Sequence, residues 1–191
     1  MNITVKELEE RYKVIEINKV SDDIEVVDLW KEKGNTDYHV RLMFAFNKLF
    51  TSGDCGSFTF GKTICHIYSF FKGDNVNLGY WQEKVEASPR PLLCENIDTD
   101  KEMDLIKEYF EDNEIEYDED DLDNIGESNI YYAYEELNNL FEKYDDSDPY
   151  YKANGIVEEC RDWDCQFEYI CNVIQWVENN LDEWRTKYKG E

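Results

Sequence analysis

Residues 38–62, YHVRLMFAFNKLFTSGDCGSFTFGK, carry the strongest β-sheet pattern in the chain and decide its fold class. The run 38–50 is rich in aromatic and aliphatic side chains, which fit a pleated, half-buried strand. Ser52–Gly56 supplies turn-forming residues, and 58–60 (FTF) follows as a returning strand. The pattern predicts a β-hairpin over residues 38–62, within a small antiparallel sheet.

The end of the chain has a helical periodicity instead. Apolar side chains recur at alternating intervals of four and three between residues 163 and 188, which predicts one long amphipathic helix. This stripe fits two roles: packing within the protein's own fold, or forming the seam of a homodimer. The stripe consists of Trp163, Phe167, Ile170, Ile174, Val177, Leu181, Trp184 and Tyr188.

Acidic residues are distributed very unevenly along the chain. Residues 1–98 contain 16 acidic and 12 basic residues, whereas residues 99–191 contain 29 and 8. We therefore predict an α+β fold in which a small antiparallel sheet with short helices precedes an acidic helical half. The first region covers residues 1–98 and the second covers 99–191, either packed on the first or continuous with it as one domain.

Several classes of function lack support in the sequence. There is no GxSxG, no phosphate-binding glycine loop, no dinucleotide fingerprint and no HExxH. The six cysteines include no CxxC pair, only two histidines accompany them, and the acidic run 118–123 lacks the ligand spacing of an EF-hand. We predict no enzyme, no metal and no cofactor. A small hydrolase that uses Cys55 or Cys65 with a histidine is the weakest alternative.

We also expect neither a signal peptide nor a membrane span. No apolar run follows a basic start, and no stretch approaches the roughly 20 apolar residues that a spanning helix needs. We expect a cytoplasmic protein whose cysteines are reduced and which does not contact a membrane.

The densest charge lies in residues 100–123, which hold 13 acidic residues and only two lysines. Duplex DNA carries one negative charge per roughly 1.7 Å of axis. Carboxylates three or four residues apart on a helix lie about 5–6 Å from one another, so this segment can approach that density. A basic groove that binds phosphates would attract it, which predicts a surface for binding a basic protein. The predicted contact residues are Glu108, Glu111, Asp112, Glu114, Glu116, Tyr117, Asp118, Glu119, Asp120, Asp121 and Asp123, with Asp145, Asp146 and Asp148 as a flanking patch.

In size and in this acidic segment the chain resembles the small acidic inhibitors of phages and mobile elements, the anti-restriction and anti-CRISPR proteins that imitate DNA. The resemblance is one of composition over the C-terminal half. These inhibitors share no common sequence signature, so no functional residue is carried over. The resemblance implies a non-enzymatic inhibitor in a bacterial host cell, acting on a defence nuclease such as a CRISPR effector or restriction enzyme.

Two further features bear on the partner. The near-neutral first half leaves room for a second contact surface at the hairpin, and direct binding of nucleic acid is not expected from so negative a protein.

The main alternative is an immunity or antitoxin protein that caps a basic toxin. Such a protein would also be acidic, and genomic neighbours would separate the two.

Overall fold

The computed structural model describes residues 3–54, 56–61, 71–88, 94–122, 125, 130–144 and 148–187. Internal contacts group the chain into two compact units. We call the first the sheet unit; it comprises Met1–Cys94 together with Cys165–Glu191. We call the second the acidic unit; it comprises Glu95–Asp164. The α+β fold class is confirmed, since an antiparallel sheet and seven helices lie within the described residues.

The sheet unit contains a six-stranded antiparallel meander in the order β1-β2-β3-β4-β5-β6. Its strands are β1 (Val14–Ser21), β2 (Ile24–Trp30), β3 (Val40–Ala45), β4 (Lys48–Gly53), β5 (Thr59–Gly61) and β6 (Val85–Ala87). Its helices are α1 (Val5–Arg11), α2 (Leu78–Gln82) and α7 (Cys165–Lys187). Helix α1 begins at a capping box, in which the Thr4 hydroxyl accepts the Glu7 N–H while the Glu7 carboxylate accepts the Thr4 N–H.

The predicted β-structure over residues 38–62 is present among the described residues, and the predicted turn after β4 is confirmed, but the chain makes one turn more than predicted. The run 38–50 is not one strand, because β3 and β4 form a hairpin whose turn is at Phe46 and Asn47. Phe46 has φ of 55° in that turn, where glycine or asparagine is the usual residue, so the sequence gives no turn pattern there. Ser52–Gly56 connects β4 to β5.

Helix α7 supplies much of the core of the sheet unit. The stripe members from Phe167 to Trp184 are buried, and the Phe167 ring lies 5.7 Å from Phe58 and 6.4 Å from Phe60 between centroids. Trp163 is not part of the helix, because it lies in a strand of the acidic unit. The stripe from Phe167 to Trp184 is thus internal core of the sheet unit, whereas Tyr188 lies outside the described residues.

The acidic unit is a helical bundle with one short ribbon. Strands β7 (Glu95–Ile97) and β8 (Arg161–Trp163) pair antiparallel at its two ends. Between them lie α3 (Thr99–Asp112), α4 (Glu119–Leu122), α5 (Ile130–Tyr144) and α6 (Pro149–Cys160). Its core is a cluster of buried apolar side chains that includes Ile106, Phe110, Leu137, Phe141 and Val157.

The grouping into units differs from the predicted division after Asp98. The acidic unit begins at Glu95 and ends at Asp164, so α7 belongs with the sheet rather than with the acidic helices. This grouping concentrates the charge further. The 70 residues 95–164 hold 26 acidic and 5 basic residues, a net charge of −21 out of −25 for the whole chain.

Of the buried carboxyl groups in the described part of the sheet unit, that of Glu178 on α7 is the most deeply buried, at 0% exposed, ahead of Asp28 and Glu25. The Glu178 Oε2 atom accepts the Phe71 N–H at 2.8 Å, and its Oε1 atom has no hydrogen-bond partner among the described residues. Burial raises the pKa of Glu178 to about 8, because removal from water penalises the charged form. The folded unit therefore holds a proton that the unfolded chain would release.

This raised pKa fixes how stability depends on pH. The stability that neutral Glu178 contributes is present below its unfolded pKa, near 4.5, and is lost as pH rises through about 8. We expect Glu178→Gln to match wild type near pH 5 and to be more stable near pH 9. Urea unfolding followed by tryptophan fluorescence measures this, since four of the five tryptophans lie in the sheet unit.

The control is Glu183→Gln, which removes an exposed carboxylate from the same helix. The control should show no comparable gain at high pH. Equal pH dependence in wild type and Glu178→Gln would contradict the account of this buried carboxyl.

Candidate functional site

The predicted acidic surface begins on the solvent side of α3. Ile106 and Phe110 of this helix are buried, whereas Glu108, Glu111 and Asp112 are exposed on the opposite side. Spacings of three and four residues place these carboxylates next to one another. Asp104 is also exposed and lies one turn before Glu108, so it extends the same row. It was not among the predicted contact residues, although its four-residue spacing from Glu108 could have identified it.

Glu114 ends α3 in a backbone conformation that favours glycine. Its φ is 54°, its N–H donates to the Glu111 carbonyl at 3.1 Å, and the Ile115 N–H donates to the Phe110 carbonyl at 2.9 Å. This pair of hydrogen bonds is a Schellman motif, in which glycine is the usual residue at the position of Glu114. The chain keeps a charged side chain here despite a conformational cost of about 1–2 kcal/mol.

The next carboxylates are held in place by the end of α5. The Asp118 N–H donates to the Tyr144 hydroxyl at 3.0 Å, and the Asp121 carboxylate accepts hydrogen bonds from Lys143 and Tyr144. Hydrogen bonding from Lys143, and then from Tyr144, lowers the pKa of Asp121. Asp121 is half-buried and serves as an anchor, while Glu116, Asp118, Glu119 and Asp120 are exposed.

Three aromatic residues adjoin the predicted acidic surface in sequence, and they are mostly part of the core. Phe110 is fully buried, the Tyr117 ring packs on it at 5.0 Å, and the Tyr109 ring packs edge-on against Phe141 at 5.2 Å. Tyr109 and Tyr117 are half-buried. Tyr117 thus holds the loop against the bundle rather than extending into solvent.

Two other tyrosines occupy the exposed position instead. Tyr150 and Tyr151, in the first turn of α6, are 69% and 75% exposed. No helix was predicted from the sequence at the position of α6, although Asp148 and Pro149 form a typical N-cap and first helical residue. Asp148 is exposed, has φ of 87°, and accepts the Tyr151 N–H at 3.3 Å. The remaining predicted contact residues, Asp123, Asp145 and Asp146, lie outside the described residues.

Three of the five basic residues of the acidic unit bond to partners within it. Lys143 pairs with Asp121, Lys101 donates to the Glu159 carbonyl at 2.7 Å, and Arg161 bonds to both Glu158 and Glu95. With 26 acidic residues against 5 basic ones, most carboxylates have no counter-charge from their own unit. The unit therefore presents a strong negative field to any partner.

The core of this unit also contains an acidic side chain. Glu102 of α3 is buried, and its Oε1 atom has no hydrogen-bond partner among the described residues. Burial, and then the charge of Glu136 on α5, raise the pKa of Glu102 to about 7. Burial, and then Glu102, raise the pKa of the buried Cys160 thiol to about 11. Both groups are poor ligands for a cation while they stay protonated.

The described residues contain no group of three or more His, Cys, Asp or Glu side chains arranged to hold a metal ion. Cys160 and Cys171 are buried free thiols, Cys165 is an exposed one, and Cys94 is also buried. Cys55 and Cys65, the thiols of the weakest alternative, lie outside the described residues. Within the part of the chain that is described, no helix has the length and apolar character needed to cross a membrane.

Comparison with known proteins finds no match: no family model, no curated protein and no solved structure is significantly similar to this chain.

The strained backbone at Glu114 gives a direct test of stability. We expect Glu114→Gly to stabilise the acidic unit by about 1 kcal/mol, since glycine adopts a positive φ without steric cost. The matched control is Asp112→Gly, which also removes one carboxylate but places glycine inside the last helical turn, where it should destabilise. Thermal unfolding followed by circular dichroism distinguishes the two. A loss of stability in Glu114→Gly would contradict the assigned turn.

The anchor at Tyr144 makes a second prediction. Tyr144→Phe removes the hydroxyl that binds Asp118 and Asp121 and leaves the ring in the core. We expect backbone amides of residues 114–122 to exchange with deuterium several-fold faster, while α6 keeps its protection. Tyr151→Phe, at an exposed ring, is the control and should change neither segment. Unchanged exchange over residues 114–122 in Tyr144→Phe would mean that the hydroxyl does not hold the acidic segment.

Proposed function

We propose that this protein is a non-enzymatic inhibitor whose acidic unit binds the basic, nucleic-acid-binding groove of a bacterial defence nuclease. The observation that carries the proposal is the uneven distribution of charge. One 70-residue unit has a net charge of −21, whereas the sheet unit has a net charge of −4. A need for solubility alone would not require this asymmetry.

The geometry supports imitation of a polyanion. Exposed carboxylates follow one another along the outer side of α3, around the turn at Glu114 and onto α4. The turn and the α5 anchor hold them in order before a partner arrives. A prearranged row of charges loses less conformational entropy on binding than a disordered acidic tail would.

The electrostatics predict the character of the complex. A field of this strength speeds the approach of a cationic groove and makes affinity fall with salt. A groove that contacts phosphates through lysine and arginine would bind these carboxylates in the same place. Inhibition would then result from exclusion of the nucleic acid.

The test compares two variants of equal net charge. The surface variant E116Q/D118N/E119Q/D120N neutralises four exposed carboxylates of the acidic unit, and the control E9Q/E10Q/E32Q/D74N neutralises four of the sheet unit. Each serves as bait in a bacterial lysate at about 0.1 M salt, with release at about 0.5 M. We expect wild type and control, but not the surface variant, to retain a nucleic-acid-binding protein.

The retained protein is then purified and its binding to duplex DNA is measured with increasing amounts of this protein. Competition for DNA supports the proposal. Simultaneous binding of DNA and this protein, or equal retention by the two variants, would overturn it.

A further inference from the structure

We propose that Tyr150 and Tyr151 make the acidic unit selective for arginine over lysine, so that the surface it binds is lined by arginine. This inference rests on the proposed function, because it concerns the same contact with a basic partner. It adds the identity of the cation that the surface recognises.

The two rings are the most exposed of the large hydrophobic side chains in the described part of the chain, at 69% and 75%. Two other exposed tyrosines, Tyr38 and Tyr80, have a cation from their own chain. Arg11 lies 4.7 Å from the Tyr38 ring centroid, and Lys84 lies 4.6 Å from that of Tyr80. Among the described residues, no lysine or arginine lies over the Tyr150 or Tyr151 ring.

The backbone holds this pair in a defined place. Asp148 caps α6 through the Tyr151 N–H, and Pro149 occupies the first helical position with its restricted φ. Both tyrosines therefore lie on an ordered first turn. An aromatic ring fixed in this way loses little entropy when it meets a partner, which is typical of interface hot spots.

The sequence around the rings supplies the matching charge. The exposed Asp148 lies two residues before Tyr150, and the sequence before it adds Asp145 and Asp146, which lie outside the described residues. A guanidinium group can pair with a carboxylate in its plane and stack its face on an aromatic ring, whereas an ammonium group is a strongly hydrated point charge. Carboxylates next to exposed rings therefore favour arginine.

Four of the five basic residues of the acidic unit have contacts elsewhere, which makes an external cation the natural occupant. Lys152, the basic residue closest in sequence, has its ammonium 5.4 Å from the Tyr109 ring centroid. Arg161 bonds to Glu158 and Glu95, and Lys143 bonds to Asp121.

The experiment uses two labelled peptides, octa-arginine and octa-lysine, titrated with the full chain and followed by fluorescence anisotropy at about 0.1 M salt. We expect wild type to bind octa-arginine roughly five- to tenfold more tightly. In Y150A/Y151A that preference should shrink severalfold, through weaker binding of octa-arginine only. Y150F/Y151F keeps the rings and should keep the preference.

Two controls separate ring effects from charge effects. Tyr80→Ala, an exposed ring that has its own lysine, should leave the preference unchanged. The surface variant E116Q/D118N/E119Q/D120N should bind both peptides more weakly than wild type does, by a similar factor. Circular dichroism of each variant confirms that the fold is intact.

The outcomes distinguish the inference from the function on which it rests. If wild type binds both peptides but Y150A/Y151A keeps the full arginine preference, the tyrosine inference is wrong and the proposed function stands. If wild type binds neither peptide, capture of a basic surface fails and the inference fails with it.

Discussion

Repulsion among 26 carboxylates within 70 residues is the constraint on which the acidic unit is built. The unit must bury enough apolar surface to outweigh it, and it does so with interlocking aromatic and aliphatic side chains such as Phe110, Phe141 and Leu137. Tyr117 and Ile115 extend this core beneath the acidic loop. Tyr117, which was among the predicted contact residues, therefore helps to keep the charged segment folded.

The sequence predicted those elements whose signals are local. The apolar spacing of residues 167–184 corresponds to α7, and the β-rich run 38–50 corresponds to β3 and β4. The grouping of α7 with the sheet could not be predicted, because an apolar stripe does not specify which surface covers it. The turn at Phe46 was missed for a related reason, since tertiary pairing of β3 with β4 imposes a conformation that phenylalanine does not favour.

The candidate site was predictable in its charge and less so in its contacts. Composition and spacing identified the exposed carboxylates of α3 and of the loop after it, and these are exposed in the structure. Burial depends on long-range packing, so the sequence could not show that Tyr117 lies against Phe110 or that Asp121 is an anchor for α5. Tyr150 and Tyr151 were missed because α6 itself was not recognised.

Two acidic residues in left-handed backbone conformations, Glu114 and Asp148, bear on the balance between stability and function. Strained residues persist where the surrounding structure holds them, and they concentrate at functional sites. Here both flank the exposed carboxylates and rings that the proposals assign to the partner, so some stability is given up to place charge. This arrangement is the expected one if the surface is kept for binding.

The most direct test of the account is amide hydrogen exchange of the full chain, free and bound to the nucleic-acid-binding protein that it captures. The account predicts that protection on binding is concentrated in residues 104–122 and 148–151, and that duplex DNA in excess removes it. Protection confined to the strands of the sheet unit, with the acidic unit unchanged, would contradict the claim that the acidic surface binds the partner.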